Sequence, residues 1–349
     1  MRSFRSSVAL MALTFAPALC SQAPQAFTLS GDYSMTHDPS IALAGSSYYV
    51  FSTTTKATPG QLPIRCSADL QAWKLCGSVF DKIPDWIQAA SPKTRELWAP
   101  DISYYKGKYR LYYVYSTFGS NSSGIALATN DTLDVHSPKY HWQDEGLVLK
   151  STAGTDDFNA IDPNLVTDEE GRQWLSFGSF WTGIKMRRID PATGKVSSED
   201  ATIYSLASRA RPATPELPKP GLPADWQAVE APFIVHHGDY FYLFVSFDLC
   251  CRGAKSTYRT MVGRSRQVTG PYIDSDGKPM LEGGGTQLLE PNSRWLGPGG
   301  ASILQRPEGD LIVFHAYDAA TGKPALQIST LTWESGWPRA AVGTAGESR

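Results

Sequence analysis

Three carboxylates stand beside prolines at widely separated points of the chain. Asp38 and Asp162 each directly precede a proline, and Glu230 lies two residues before Pro232. Carboxylates that gather in a cleft of low dielectric repel one another, so one tends to be held protonated while a neighbour stays ionised. A protonated and an ionised carboxyl are the general acid and base of glycoside hydrolysis. If the fold brings the three together, this is the chemistry they predict.

A single aspartate before proline says little about function, because such a side chain commonly caps the backbone of a turn. The three carboxylates, however, recur at matched positions of an internal repeat, which favours one shared site. The prolines that align the repeat are Pro39, Pro100, Pro163 and Pro232. The alignment also places His37, Trp98 and Asp101 within two residues of an aligned proline. The fifth copy has Gly299 and Gly300 there, which leave space.

The elements that carry these residues repeat five times along the chain. Each copy has a turn glycine followed by an aromatic or aliphatic strand, and successive turn glycines are 62, 64, 67 and 71 residues apart. The turn glycines are Gly45, Gly107, Gly171, Gly238 and Gly309. The first strands are expected at 37–42, 99–104, 161–166, 230–235 and 300–304. The third strands are expected at 64–70, 124–130, 183–189, 259–268 and 325–332.

Five small sheets cannot each bury two faces alone, and packing them radially solves this problem. The sequence therefore predicts an all-β, five-bladed β-propeller with a central axial active-site cleft, formed by residues 21–349 as a single domain. The first strand of each blade would line the axis, where side chains distant in sequence converge. The alternative is a long β-sandwich with accidental internal similarity. A short helical turn is expected within 82–90.

Composition narrows the classes of partner. Hydrophobic residues make up 42% of the 349 residues, so a core can be buried. The net charge is −2, which gives no general electrostatic reason to bind nucleic acid or an anionic membrane. Beyond the N-terminus, no apolar run approaches the length of a membrane span. We expect a monomer that binds neither nucleic acid nor membrane.

The N-terminus has the features of an export signal. Two arginines precede a mostly apolar run at 8–19 that ends in small residues. This predicts a secretory signal peptide over residues 1–20 and a secreted, extracellular protein. The alternative is a buried N-terminal strand. Asn121 and Asn130 begin sequons for N-glycosylation in a host that glycosylates.

Export favours disulfides among the four cysteines that follow the leader. Cys66 and Cys76 flank an expected turn and could bridge neighbouring strands. Cys250 and Cys251 would then form a vicinal disulfide or remain two free thiols. Their spacing matches no zinc motif.

Several motifs together resemble a known family. They are 37–40 (HDPS), 97–101 (LWAPD), 158–164 (FNAIDPN), 178–181 (GSFW), 229–232 (VEAP) and 246–253 (SFDLCCRG). From about residue 33 to 340 the chain resembles the endo-1,5-α-L-arabinanases of glycoside hydrolase family 43, which are five-bladed β-propellers. The Asp-Pro and Glu-Ala-Pro motifs are shared by the wider family. The FNAIDPN and FDLCCRG motifs are more specific to arabinanases.

The resemblance implies a role for each carboxylate. Asp38 matches the general base that activates water, and Glu230 matches the general acid. Asp162 matches a third carboxylate that orients the acid and raises its pKa. The family inverts the anomeric configuration, so a water would fit between base and sugar. His315 matches a histidine beside a central metal, usually calcium, that is largely surrounded by water; the alternative is a core histidine.

The expected substrate contacts are His37, Trp98, Phe118, Asn159, Ser179 and Trp181. The three aromatic members lie at strand ends near the acidic motifs, where their faces could stack on sugars. Each could instead belong to the core between blades. The asparagine and the serine could hydrogen-bond arabinose hydroxyls, and the histidine could fix Asp38 or contact sugar.

The leading functional hypothesis is endo-acting, inverting hydrolysis of α-1,5-linked L-arabinan, a linear polysaccharide of the pectic plant cell wall. An exo-acting α-L-arabinofuranosidase or β-xylosidase of the same fold is the alternative within the family, and its cleft would be closed at one end. A secreted carbohydrate-binding propeller without catalysis is a different class. The presence of all three carboxylates argues against that class, because a lectin needs no buried acid.

Overall fold

The computed structural model describes residues 23–209 and 228–343. The expected signal peptide over 1–20 and the proline-rich stretch 211–223 lie outside the described residues, so the signal peptide stays a prediction. Within the described ranges the chain is nearly all strand, arranged as five sheets that follow one another along the sequence. This is the predicted five-bladed β-propeller. None of the described helices is long and apolar enough to cross a membrane.

The strands of each blade follow chain order from the axis outward, except for β1 and β14. Blade 1 contains β1 (Ser30–Gly31), β2 (Ser40–Ala44), β3 (Ser47–Phe51), β4 (Gln61–Ser67) and β5 (Ala72–Phe80). Blade 2 contains β6 (Leu97–Tyr105), β7 (Lys108–Tyr115), β8 (Ser123–Asn130) and β9 (Gln143–Ser151). Blade 3 contains β10 (Asn164–Thr167), β11 (Gln173–Phe177), β12 (Ile184–Asp190), β13 (Lys195–Val196) and β14 (Tyr204–Ala207).

Blade 4 contains β15 (Val229–His237), β16 (Tyr240–Phe247), β17 (Arg259–Ser265) and β18 (Thr286–Gln287). Blade 5 contains β19 (Trp295–Leu304), β20 (Asp310–Asp318), β21 (Pro324–Glu334) and β22 (Trp337–Arg339). The helix α1 (Asp85–Ala90) confirms the helical turn expected within 82–90. Two 3₁₀ turns occupy Gly253–Lys255 and Met280–Glu282.

The second strand of each blade is buried on both faces, and this explains its nearly continuous aromatic and aliphatic sequence. In β16, seven of the eight residues are buried. The buried apolar side chains form five clusters, each shared by two adjacent blades, including one between blades 5 and 1. The core is therefore a closed ring of interfaces between blades, which agrees with radial packing of five sheets.

A left-handed residue recurs at one position of all five inner strands. The five are Asp38 (φ 49°), Ala99 (φ 40°), Asp162 (φ 55°), Ala231 (φ 52°) and Gly300 (φ 61°). In β6, β15 and β19 the ladder to the second strand shifts register at this position, as a β-bulge does. All five residues line one axial cavity. The matched positions seen in the sequence are therefore a five-fold ring of backbone bends.

Just past these bends, hydrogen bonds join four of the five pairs of neighbouring inner strands. Three backbone amides donate to a side chain of the preceding blade: Ile102 N to Ser40 Oγ (3.0 Å), Leu165 N to Asp101 Oδ2 (2.8 Å) and Ile234 N to Asn164 Oδ1 (2.8 Å). Between blades 5 and 1, Ser302 Oγ donates to Pro39 O at 2.9 Å. Asp101, singled out in the sequence beside the carboxylates, thus serves to join blades 2 and 3.

The segment that precedes β2 closes the propeller. Phe27 N donates to Ile328 O, and Met35 N to Pro324 O, on strand β21 of blade 5. On the other side β1 pairs in parallel with β5 of blade 1. The same segment therefore holds the last blade against the first.

Both pairs of cysteines are joined. Cys66 and Cys76 link β4 to β5, as the sequence suggested. Cys250 and Cys251 form the vicinal disulfide, one of the two states that the sequence left open. The two sequon asparagines are buried: Asn121 Nδ2 donates to two backbone oxygens, and Asn130 is 2% exposed. Folding therefore removes both from contact with solvent, which speaks against the expected glycans on the folded chain.

Candidate active site

The three carboxylates meet where the inner strands begin. Asp38 and Asp162 occupy the ring of bends, and Glu230 stands one residue before the bend of blade 4. The amide of Ala231 donates to Asp162 Oδ2 at 3.1 Å, so the acids of blades 3 and 4 are adjacent. The electrostatic influence of Asp38 reaches both of the others. The fold thus brings together the residues that the repeat predicted.

Asp38 is held as a carboxylate. Its Oδ2 accepts from Thr53 Oγ1 at 2.6 Å and lies 2.9 Å from His37 Nδ1. Burial opposes the charged form, but the charge and hydrogen bond of His37, aided by His315 and Thr53, hold the pKa of Asp38 well below its ordinary value. Asp38 therefore stays ionised across the working range of most enzymes.

Glu230 is held toward the protonated form. It is 8% exposed, and its Oε2 accepts from Ser179 Oγ at 2.6 Å. Burial raises the pKa of Glu230, and hydrogen bonds from Ser179 and Tyr258 only partly counter this effect, while the charge of Asp38 adds to it. A buried carboxyl with a raised pKa is suited to donate a proton at mild pH.

Asp162 is the third carboxyl, and it feels the charges of both of the others. Burial raises its pKa well above the ordinary value, and the charges of Glu230 and Asp38 raise it further. The hydrogen bond from Ala231 N works in the opposite direction. One site therefore contains an ionised carboxylate beside two carboxyls that resist ionisation, and this is the division that acid–base catalysis uses.

His37 connects Asp38 to blade 5. Its Nε2 is 2.8 Å from the hydroxyl of Tyr317, and its ring stacks on His315 with centroids 3.7 Å apart. Burial lowers the pKa of His37, but Asp38 and Glu230 outweigh burial and raise it overall. Of the two roles proposed from sequence, these contacts support the fixing of Asp38.

His315 is completely buried beneath the site, and its surroundings fit a hydrated cation loosely. Its Nδ1 accepts from Asp38 N at 3.2 Å. Among the described residues, Nε2 has no hydrogen-bond partner. In a neutral ring whose Nδ1 is an acceptor, Nε2 carries the hydrogen. It would therefore hold a water of the hydration shell better than the ion itself.

The predicted aromatic contacts lie at the same end of the blades as the carboxylates. Trp98 is half-buried. It directly precedes the bend of blade 2, as His37 and Glu230 precede the bends of blades 1 and 4. Phe118 follows β7 at the end where β6 begins, and it is 81% exposed. Trp181 is half-buried in the loop that follows β11, with left-handed backbone (φ 44°). Of the three, only Trp98 also packs against the interblade core.

The two polar residues expected at the sugar differ in their surroundings. Asn159 is buried, and its Oδ1 has no hydrogen-bond partner among the described residues, so an acceptor remains available there. Ser179 is 3% exposed and gives its hydroxyl to Glu230. The Ser179–Glu230 β-bridge directs the hydroxyl hydrogen of Ser179 at the acid, which leaves only the oxygen of that hydroxyl to accept from a sugar, and the sugar contact stays a prediction.

Three functional neighbours were missed at the sequence level. Tyr317 lies two residues after His315 in one strand, so alternation places both on one face and could have revealed it. Thr53 follows β3 and bonds Asp38, but nothing in its local pattern marks it. Tyr258 is buried in an irregular loop, and its ring packs against Gly299. A Cβ added at Gly299 would lie 2.1 Å from Tyr258 Cδ1. The space predicted at the paired glycines is thus filled by protein.

Known proteins resemble this chain over nearly its whole length. The family model described as "Glycosyl hydrolases family 43" matches residues 31–338. The extracellular endo-α-(1→5)-L-arabinanase 1 of Bacillus subtilis is 43% identical over 304 residues, which cover 86% of each chain. The extracellular exo-α-(1→5)-L-arabinofuranosidase ArbA of Cellvibrio japonicus is 41% identical over 306 residues, 87% of this chain and 85% of that one. The solved endo-arabinanase of Bacillus licheniformis is 44% identical, with a TM-score of 0.78, and the match covers 90% of this chain and 99% of that one.

Proposed function

This chain belongs to glycosyl hydrolase family 43 and is an arabinan-degrading glycoside hydrolase, and we propose that it cleaves the α-1,5 bonds of linear arabinan internally, with inversion. The observation that carries the proposal is the contrast between an ionised Asp38 and a Glu230 whose pKa is raised within one site. A single-step displacement by water needs these two groups at the same time.

In the proposed reaction Asp38 takes a proton from a water that attacks the anomeric carbon. Glu230 gives its proton to the oxygen of the departing arabinan. Asp162 supports the acid: the amide of Ala231, the residue after Glu230, donates to Asp162 Oδ2 at 3.1 Å, and the two carboxyls are close enough to disfavour a second negative charge within the pair. His37 and Thr53 keep Asp38 oriented and ionised through their hydrogen bonds.

The endo mode is supported by two relatives with endo in their names, at 43% and 44% identity. The exposed ring of Phe118 and the half-buried Trp98 and Trp181 offer stacking surfaces spread over blades 2 and 3, which suits a polymer. The second candidate is exo action, which the named activity of the 41% identical relative favours. Arabinan in pectic plant cell walls would be the natural polymer in either case.

We propose a hydrated calcium ion at His315. The groups that would hold its shell are His315 Nε2 and the carboxylate of Asp38, whose Oδ1 is 3.8 Å from His315 Nδ1. A bound divalent ion would supply positive charge beside Asp38. Dialysed protein would be assayed for bound calcium, and His315→Ala should retain less than the unmodified chain. Equal calcium content in both would remove His315 from the proposed site.

We also propose that the enzyme is secreted as a monomer. The basic and apolar pattern of residues 1–20 and the extracellular names of two relatives support export. Fractionation of the expressing cell, with N-terminal sequencing of the exported chain, tests the leader. Light scattering of the purified protein tests the monomer, for which the mass should match one chain.

The deciding experiment is a product profile on linear, debranched arabinan. Early release of a ladder of oligosaccharides supports endo action, whereas arabinose or one short product alone supports exo action. Proton NMR of the first anomer formed tests inversion. Glu230→Gln should lower turnover by about 10²–10⁴-fold while the protein stays folded. The control is Glu334→Gln, an exposed glutamate paired with Arg339 on the periphery. Near-normal turnover by Glu230→Gln would overturn its role as acid.

A further inference from the structure

The loop between β16 and β17 contacts the sites of both proposed catalytic groups. We name residues 248–258 the Cys loop, because it contains Cys250 and Cys251. Asp248 accepts from Arg259 Nε at 2.8 Å, and Thr257 N donates to Leu249 O at 2.9 Å, so both ends of the loop are tied together. At its far end the loop delivers Tyr258 to Glu230.

A continuous chain of hydrogen bonds runs from the vicinal disulfide to Asp38. Cys251 N donates to the hydroxyl oxygen of Tyr317 at 2.8 Å. That hydroxyl is 2.8 Å from His37 Nε2, and His37 Nδ1 is 2.9 Å from Asp38 Oδ2. The sulfur of Cys251 also lies 3.7 Å from His37 Nε2. Every step is a direct contact between side chains or with the Cys251 amide.

The hydrogen bonds in this chain fix the orientation of the His37 ring. An ionised carboxylate only accepts, so His37 Nδ1 carries the hydrogen that is directed at Asp38 Oδ2. The other ring nitrogen, Nε2, is held by the hydroxyl of Tyr317, and the Cys251 amide donates to that hydroxyl. The amide of Cys251 therefore holds Tyr317 and, through it, the ring that hydrogen-bonds Asp38.

We infer that the Cys250–Cys251 disulfide is a positioning element for Asp38, acting through the Cys251 amide, Tyr317 and His37. The cross-link closes a small ring across the 250–251 peptide and so restricts the orientation of that amide. Asp248 (φ 70°) and Cys251 (φ 65°) are left-handed, a conformation that is unfavourable for non-glycine residues and needs to be held. The inference rests on the proposed function only in taking Asp38 as the base.

The disulfide can be opened without unfolding the chain, because Cys251 is exposed to solvent. A small dithiol supplies two electrons and two protons: the sulfur–sulfur bond breaks, two cysteine thiols form, and the reagent closes into its own disulfide. The matched control is the second disulfide, Cys66–Cys76, which joins two outer strands of blade 1. It has no contact with the chain that leads to Asp38.

The test compares Cys250→Ser/Cys251→Ser, Tyr317→Phe and the control Cys66→Ser/Cys76→Ser. In the first two we expect kcat on arabino-oligosaccharides to fall about 10- to 100-fold, with KM within about twofold, because the base is misplaced and binding is kept. Nitrogen NMR of the histidine rings should show the His37 Nε2 resonance shifted, because its hydrogen bond with Tyr317 is lost or weakened. The control should keep both the kcat and the His37 Nε2 resonance of the unmodified chain.

Two outcomes overturn the inference: an unchanged kcat, or an unchanged His37 Nε2 resonance, in folded Cys250→Ser/Cys251→Ser protein. If that variant does not fold, dithiol treatment of the folded unmodified chain replaces it, and reoxidation must restore kcat. The NMR measurement needs no substrate. It therefore decides the inference even if the chain fails to cleave arabinan, whereas the product profile decides the proposed function by itself.

Discussion

At the scale of single residues, Asp38 and Glu230 have pKa values shifted in opposite directions because they accept hydrogen bonds from different donors. Asp38 has a histidine and a threonine directed at one oxygen, and its pKa is lowered despite burial. Glu230 receives only hydroxyl donors against full burial, and its pKa is raised. One carboxyl group is thus held ionised and the other is held toward the protonated form, because a charged histidine is a stronger hydrogen-bond donor than a neutral hydroxyl.

Ser179→Ala should shift the alkaline limb of the pH profile upward. The Ser179 hydrogen bond stabilises the charged form of Glu230 and so lowers the pKa of Glu230; its loss raises that pKa. Since Glu230 must be protonated to act as the acid, the decline of kcat/KM at high pH should begin at a higher pH. We expect less than about a tenfold loss at the optimum.

The control for this measurement is Ser176→Ala, which removes a buried hydroxyl of the same blade that bonds only the Asn164 backbone. A pH–rate profile of each variant suffices. If the alkaline limb of Ser179→Ala coincides with that of Ser176→Ala, the hydroxyl of Ser179 does not tune the acid.

At the scale of the elements, the inner strands bend at one shared position, and the bend of blade 5 leaves no room for a side chain. Gly300 (φ 61°) lies so close to the site that an added Cβ would be 2.9 Å from His315 Nδ1 and 3.0 Å from Asp38 Oδ1. In the other blades the equivalent residue carries a side chain. The glycine in blade 5 therefore leaves the space that His315 occupies beneath Asp38.

Gly300→Ala should lower kcat/KM by about 10²-fold, because the new methyl group displaces Asp38 and His315. Gly45→Ala is a matched control: Gly45 has nearly the same φ (60°), and an added Cβ would meet nothing within 4 Å. Both variants incur the left-handed cost of about 1–2 kcal/mol, measured by urea unfolding. Equal activity of the two variants would contradict the steric role of Gly300.

Asp101→Asn should change how stability depends on pH. Burial raises the pKa of Asp101 to about 7, against hydrogen bonds from Leu165 N and Asn164 that lower it. Its pKa is thus higher in the folded chain than in the unfolded one, so the folded state binds more protons and wild-type stability falls as pH rises from about 4 to about 7. This contribution is at most about 4 kcal/mol.

The asparagine variant lacks this titration, so its free energy of unfolding relative to the wild type should increase between pH 5 and pH 8. Urea unfolding at the two pH values measures the effect, with the exposed Asp131→Asn as control. Parallel changes in all three proteins would show that Asp101 does not titrate at its position between blades 2 and 3.

The repeat could be predicted from the sequence because each blade encodes its strands locally, by alternation and turn glycines, and because Asp38, Asp162 and Glu230 keep fixed offsets from a proline. Orientation could not be predicted in the same way. The sequence does not indicate that Ser179 donates to Glu230, because the bridge to a residue 51 positions away decides where its hydroxyl hydrogen points. Tyr258 lies in an irregular loop with no periodicity, so nothing local indicates that it reaches the acid.

At the scale of the whole molecule, the closure of the propeller is adjacent to its chemistry. The closing segment ends at Met35, three residues before Asp38, and its backbone carbonyls surround a buried cation. Arg65 is 2% exposed and donates to Asp32 O at 2.6 Å and to Ser34 O at 3.1 Å. Its Nη1 also donates to Ser52 Oγ at 3.0 Å. Burial lowers the pKa of Arg65 to about 10, so it remains charged at neutral pH.

Arg65→Met should therefore weaken the closure and the site together. The substitution keeps an apolar stem but leaves the carbonyls of Asp32 and Ser34 without their donor, at a cost of about 3 kcal/mol in the free energy of unfolding. Because the segment runs directly into His37 and Asp38, kcat should also fall by a few-fold to about tenfold. The exposed Arg339→Met is the control. A loss of stability with unchanged kcat would show that closure supports the fold alone, and an unchanged stability would contradict the role of Arg65 in holding blade 1 to the closing segment.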